Sequence, residues 1–188
     1  MFKLILLDRD GVINEDSPDY IKSVAEWRPI PGALETIAAL CHAGYAVGVC
    51  TNQAGIGRGI LSHDALQSIH EHLQERLAER DCALATLEFC PHHPDDGCVC
   101  RKPRPGMLCK ALVDLGVPAA HACFVGDSRK DLLAAWAAGV QPVLVRTGNG
   151  DATAAALPET PAGAMAPLVF DDLAAFGRSL LGDLDPSN

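Results

Sequence analysis

The stretch Leu4-Ile5-Leu6-Leu7-Asp8-Arg9-Asp10-Gly11-Val12-Ile13 decides how the chain is read, because an unbroken apolar run ends in two carboxylates one residue apart. Four apolar residues bounded by a charged turn and a glycine suit a central strand of a parallel sheet, where both faces are covered. In extended chain Asp8 and Asp10 share a face, and Gly11 lets the backbone turn away. Ligands of open parallel sheets collect at that carboxyl edge. The two carboxylates are therefore the first candidates for chemistry.

Outward from this strand the pattern repeats. Residues 14–31 are polar and Pro-punctuated, carry Tyr20 and Trp27, and predict a loop near the sheet edge. Residues 32–43 have apolar positions at helical spacing and stop at Gly44. A second buried strand, 45–50, runs into Thr51-Asn52-Gln53 and a loop holding Gly55, Gly57 and Gly59. Ser62 is a good N-cap for a long helix to about Arg80, with Leu66, Ile69, Leu73 and Leu77 on one face. A third strand, 84–89, leads into a Cys/His segment and then Arg101-Lys102-Pro103. A helix from Pro105 or Gly106 through Leu115 follows, then a fourth strand (122–125), Gly126-Asp127-Ser128, a helix (130–138) and a fifth strand (141–145). Residues 149–167 read as a loop with at most a short helix. Residues 168–170 are expected to form an edge strand before a final helix at 171–181, and the last residues to fray. Strands alternating with helices at these spacings predict a doubly wound parallel α/β sheet with right-handed crossovers, one domain over residues 1–188.

Composition bounds the function. With 48% hydrophobic residues in 188, the chain can fill a core. No apolar run approaches the roughly 20 residues needed to span a bilayer, and the N-terminus is too short in apolar residues for a secretory signal. A cytoplasmic monomer without a membrane partner is expected. A net charge of −9 disfavours nucleic acid, whose binding leans on a basic field. The cluster Arg101, Lys102 and Arg104 suits a small anionic ligand better. Of eight cysteines, Cys41, Cys50, Cys82, Cys109 and Cys123 are scattered among apolar residues and are expected to fill core space. His42, His63, His70, His72 and His121 read as surface or helix-face residues without chemistry.

Four strand ends carry reactive or phosphate-friendly groups: Asp8/Asp10, Thr51/Asn52, Arg101/Lys102 and Asp127. Adjacent strands would bring them into one cleft. Asp8, Asp10 and Asp127 suit Mg²⁺, a hard cation that takes oxygen ligands, while a hydroxyl and a lysine beside it would hold a phosphate. This is the equipment of metal-assisted phosphoryl transfer. Asp8 is the better nucleophile, able to form an aspartyl-phosphate. Asp10 could protonate the leaving alkoxide and later deprotonate water, and Lys102 would offset the accumulated negative charge.

A second metal site is written into residues 90–100. Cys90, His92, Cys98 and Cys100 form C-x-H, five residues, C-x-C. Three thiolates and an imidazole fit tetrahedral, structural Zn²⁺. The segment is too polar for its cysteines to be core filler. His93 is the alternative imidazole, but the symmetry of the spacing favours His92. Zinc would fold a loop unable to fold itself and so position Arg101 and Lys102.

Asp8-Arg9-Asp10-Gly11-Val12, Thr51, Lys102-Pro103 and Gly126-Asp127-Ser128 with Asp131 together resemble the four motifs of haloacid dehalogenase-like phosphatases, over residues 1 to about 148. The resemblance implies a Rossmann-like domain in which Asp10 also offers its backbone carbonyl to Mg²⁺ and Asp131 partners Lys102. Asp10 argues against the dehalogenase and ATPase branches. The roughly 40 residues between Asp10 and Thr51 leave no room for a cap domain there. The cysteine loop narrows the likeness to the histidinol-phosphate phosphatase branch. Within it, the stretches Thr51 to Gly59, Cys90 to Pro94 and Cys100 to Met107 are similar to those of heptose bisphosphate phosphatases, which remove the C7 phosphate in heptose activation for lipopolysaccharide or S-layer synthesis. The short zinc loop keeps histidinol phosphate as the alternative substrate, and an inactive zinc-stabilised binding module is the reading of another class. A sugar bisphosphate wants a second cationic site, for which Arg58 and Arg101 are candidates. Asn52 and Gln53 would line the substrate site with Thr51, and Asp16, Asp19 and Tyr20 could bond sugar hydroxyls.

Overall fold

The computed structural model describes residues 1–182. The expected fraying of the C-terminus falls on residues 183–188, outside the described residues. In chain order the elements are β1 (Leu4–Leu7), α1 (Ala33–His42), β2 (Ala46–Asn52), α2 (Ala54–Gly57), α3 (His63–Ala78), β3 (Thr86–Cys90), α4 (Gly106–Asp114), β4 (Ala122–Gly126), α5 (Arg129–Ala138), β5 (Gln141–Val145), α6 (Gly150–Ala155), β6 (Leu168–Phe170) and α7 (Leu173–Gly182).

The six strands pair in parallel in the order β3-β2-β1-β4-β5-β6. This is a doubly wound α/β sheet whose order reverses at β1, the position where such sheets open a crevice at their carboxyl edge. Strand β1 is central, and all four of its residues are fully buried. Its alternation divides the core. Ile5 and Leu7 pack with α1, α3 and α7 on one face, and Leu4 and Leu6 with α4 and α5 on the other. Between β1 and α1 lies irregular chain with one 3-10 turn, Val24–Glu26. The edge strands β3 and β6 are partly exposed, as one-sided neighbours require.

Helix starts follow local chemistry. The Ser62 hydroxyl accepts from the Ala65 N–H at 3.1 Å and caps α3. Ser128 and Asp131 form a capping box that starts α5.

Several sequence expectations shift. The glycine loop after Thr51 coils into α2, because Ile56 N–H bonds Gln53 O and Arg58 N–H bonds Ala54 O. Gly57 packs so closely on the backbone of His92 and His93 that a Cβ there would overlap it, so α2 abuts the cysteine loop. The third strand starts two residues later than expected and includes Cys90, paired with Asn52. Among the scattered cysteines, Cys50, Cys82 and Cys123 are buried, whereas Cys109 is exposed on the outer face of α4 and Cys41 is half-buried. His70 is also misassigned by the sequence: it is buried, and its ring meets a buried arginine.

Candidate active site

The ends of β1, β2 and β4 bring Asp8, Thr51 and Asp127 together. Asp8 is the first residue beyond β1 and is held to β4 by its N–H donating to Val125 O at 2.8 Å. Asp127 follows β4 directly. Gly11 has φ +82°, and a Cβ there would overlap the Asp127 carboxylate, so the glycine serves both the turn and the approach of the third carboxylate. The Asn149 N–H and side-chain amide both donate to Asp127 Oδ2, at 2.8 and 3.0 Å.

Lys102 is 2% exposed. Its Nζ lies 2.7 Å from Asp8 Oδ2 and 2.8 Å from Asp131 Oδ1, and 5.0 Å from the centre of the Phe124 ring. Asn52 fixes it from behind: its Oδ1 accepts from the Lys102 N–H and its Nδ2 donates to the Lys102 carbonyl, both at 3.0 Å. The Asn52 amide, expected to serve the substrate, therefore clamps the lysine backbone, although Asn52 still lines the cleft.

Asp10 accepts four side-chain hydrogen bonds. Arg9 donates through Nε and NH2 at 3.0 Å each, and Asn14 Nδ2 and Gln53 Nε2 donate at 2.9 Å each. Trp27 Nε1 orients Asn14 by donating to its Oδ1 at 2.9 Å, and Gln53 also donates to Thr51 Oγ1 at 3.0 Å.

The electrostatics divide the carboxylates. Burial would raise Asp10, but the Arg9 guanidinium and the Asn14 and Gln53 amides hold it below the usual carboxylate range. Asp131, also opposed by burial, is likewise pulled down, chiefly by Lys102. Asp8 is pushed up to about 7, because burial outweighs the attraction of Lys102 and Asp131 adds repulsion. Asp127 is raised by burial and by Asp131. Lys102 itself is shifted upward, its carboxylate partners overriding burial.

Oxygens of Asp8, Asp127 and Asp131 lie within 4.8 Å of one another. Excess buried negative charge on hard oxygen donors fits a cation such as Mg²⁺. In the cysteine loop, Cys90 Sγ is 3.5 Å from His92 Nδ1 and 3.5 Å from Cys98 Sγ, while Cys100 Sγ is 3.3 Å from both Cys90 Sγ and His92 Nδ1. Such spacings approach the edge of about 3.8 Å expected of thiolates tetrahedral about Zn²⁺. His93 instead accepts from the Asp95 N–H at 3.3 Å, capping the turn that follows.

Asp8, Asp10, Asp16, Tyr20, Thr51, Gln53, Arg101 and Lys130 line one cleft of about 140 Å³. A larger hollow of about 590 Å³ beside α5 has no titratable residue in its lining. Arg58 is exposed at the end of α2 and does not line the cleft, and neither does Asp19. Sequence reasoning missed Asn14, Lys130 and Asn149. Lys130 had a signal, since it sits three residues past Asp127 in the first turn of a helix. The others come from loops and gave none.

A carboxylate just beyond the central strand, a second two residues on, a lysine from beyond β3 and a third carboxylate from beyond β4 form the arrangement of a phosphoryl-transfer hydrolase of the haloacid dehalogenase (HAD) class. Residues 99–176 match the HAD-hydrolase-like family model. D-glycero-beta-D-manno-heptose-1,7-bisphosphate 7-phosphatase of Pseudomonas putida is 48% identical over 180 residues, covering 95% of this chain and 99% of the relative. The enzyme of that name from Pseudomonas aeruginosa is 50% identical, covering 95% and 97%. The crystal structure of D,D-heptose 1,7-bisphosphate phosphatase from B. bronchiseptica, complexed with magnesium and phosphate, superposes with a TM-score of 0.90 at 44% identity, over 97% of this chain and 99% of that one. The chain belongs to the heptose-1,7-bisphosphate 7-phosphatase family of HAD hydrolases and is a phosphoric monoester hydrolase.

Proposed function

We propose that the protein removes the C7 phosphate of D-glycero-D-manno-heptose 1,7-bisphosphate, giving heptose 1-phosphate for nucleotide-activated heptose synthesis. The reading rests on the similarity to the Pseudomonas relatives, about half identical over nearly the whole of each chain. It acts as a single capless domain, monomeric and cytoplasmic, on a small anionic substrate. Among the described residues no helix is long and apolar enough to cross a membrane.

Asp8 Oδ attacks phosphorus and the bond to O7 breaks, leaving an aspartyl-phosphate. Asp10 donates a proton to the departing O7. Its neighbours hold it ionised in the free site, so it takes up that proton from solvent as the negatively charged phosphate enters beside it. In the second half Asp10 takes a proton from water, which attacks phosphorus and regenerates Asp8. Lys102 and Thr51 stabilise charge on the transferring group. Asp8, Asp127 and the Asp10 carbonyl would hold Mg²⁺, which when bound neutralises phosphoryl charge. Arg101 has a buried NH1 with no hydrogen-bond partner in the described structure. With Lys130, it takes the distal phosphate in place of Arg58. Asp16, Tyr20 and Gln53 face the sugar.

Phosphorus NMR of parallel incubations with beta-heptose 1,7-bisphosphate and histidinol phosphate tests the assignment. The C7 signal is expected to disappear first and faster than that of histidinol phosphate. Faster turnover of histidinol phosphate, or prior loss of the C1 phosphate, would overturn it.

Cys90, His92, Cys98 and Cys100 hold a structural zinc in this reading. Metal analysis is expected to find one zinc per chain, absent in Cys98→Ser. Chelation should lower Tm by about 10 °C and depress activity, because Arg101 and Lys102 directly follow the last ligand. Re-addition of Zn²⁺ should restore both. A Tm indifferent to chelator and mutation would remove the zinc.

A further inference from the structure

Beneath the acid/base carboxylate lies a charged side chain with no access to water. Arg9 is fully buried, and its Nε and NH2 face Asp10. The opposite arm of the guanidinium, NH1, points to His70 Nε2 at 3.2 Å. Arginine only donates, so His70 Nε2 must accept. The imidazole is therefore neutral with its proton on Nδ1, the form in which Nε2 keeps its lone pair. Burial and the charge of Arg9 both favour that form, pulling His70 down to about 3. The ring is 7% exposed and held from the side by Phe89, with ring centroids 5.6 Å apart.

A buried guanidinium needs acceptors on both arms, because an unpaired N–H in a dry site carries a large desolvation penalty. Asp10 satisfies one side and His70 the other. Without His70 the fork would turn to find another acceptor and carry the Asp10 carboxylate with it. Small misplacements of a proton-transfer group are expensive in rate.

We propose that His70 is a positioning residue of the active site, fixing the Arg9 fork and through it the aim of the Asp10 carboxylate. The proposal rests on the reading of Asp10 as the proton donor to the leaving oxygen.

The test uses leaving groups of different need. The alkoxide of a heptose phosphate requires a proton, whereas nitrophenolate leaves without one. In magnesium-loaded enzyme, kcat/KM covers steps up to the aspartyl-phosphate. His70→Leu is expected to lower kcat/KM about tenfold on heptose 1,7-bisphosphate and less than about twofold on p-nitrophenyl phosphate, a selectivity that a general loss of folded protein would not produce. His70→Gln, whose Oε1 reaches the place of Nε2 and accepts, should restore most of the loss. Should His70→Leu not fold, His70→Asn, whose amide stops short of Arg9, takes its place. Asp10→Asn run alongside should show the same selectivity, more strongly. A selective loss in Asp10→Asn but not in His70→Leu, or a His70→Gln no better than the leucine variant, would overturn the role of His70 alone. Equal losses on both esters in Asp10→Asn would overturn the reading of Asp10 and the proposal with it.

Discussion

Asp8→Asn is expected to lower phosphate release by about 10³-fold or more, about 4 kcal/mol of transition-state stabilisation, while leaving the protein folded and more stable than the parent. The two effects have one cause. Asp8 is 4% exposed and pushed up to about 7 by burial, so its ionised form is held in the folded state at a cost. The sign follows from linkage. A carboxyl raised from 3.8 to about 7 on folding costs nothing at pH 3, costs progressively more as pH rises, and costs its full amount above pH 7. In magnesium-free buffer the gain in Tm of Asp8→Asn should therefore be absent near pH 3 and reach about 5 °C at pH 8. Calorimetry across that range with parallel phosphate assays checks both halves. An active Asp8→Asn variant would end the covalent mechanism.

Lys102→Met should damage activity and stability together. Lys102 Nζ sits between Asp8 and Asp131, both buried, and the methionine would leave the two carboxylates without the ammonium that pairs them. Breaking a buried ionic pair from one side costs about 3–5 kcal/mol, which for a domain of this size is a fall in Tm of about 10 °C. Activity should drop about 10²- to 10³-fold through lost charge stabilisation. Lys102→Arg should not rescue, since a planar fork is larger than the point charge that fits here. Adding Asp131→Asn to Lys102→Met removes one of the stranded charges and should recover part of the Tm without recovering kcat. Additive losses of stability in the double variant would show that the three groups do not form one unit.

Much of this site was legible because strand ends are legible. Apolar runs stopping at Asp8, Thr51 and Asp127 mark carboxyl edges whatever the strand order, and ligand spacing at Cys90, His92, Cys98 and Cys100 is local. The helix at Ala54–Gly57 was not read because its glycines favour a loop by propensity. It is selected by packing against the backbone of His92 and His93. Asn52 and Gln53 line the cleft, as their place after a strand end suggests. Their actual bonds, to the Lys102 backbone and to Asp10 and Thr51, join residues up to 50 positions apart.

By itself, then, the sequence determined the layered α/β class, the strand ends that carry Asp8, Thr51 and Asp127, and the grouping of Cys90, His92, Cys98 and Cys100, since each depends on periodicity or spacing within a few residues. The strand order, the burial of Lys102 between Asp8 and Asp131, and the chain from His70 through Arg9 to Asp10 were decided only by tertiary structure. A lone histidine on a helix looks the same in sequence whether it faces water or a buried guanidinium. What distinguishes the two is the long-range packing of α3 against the end of β1, which no local pattern encodes.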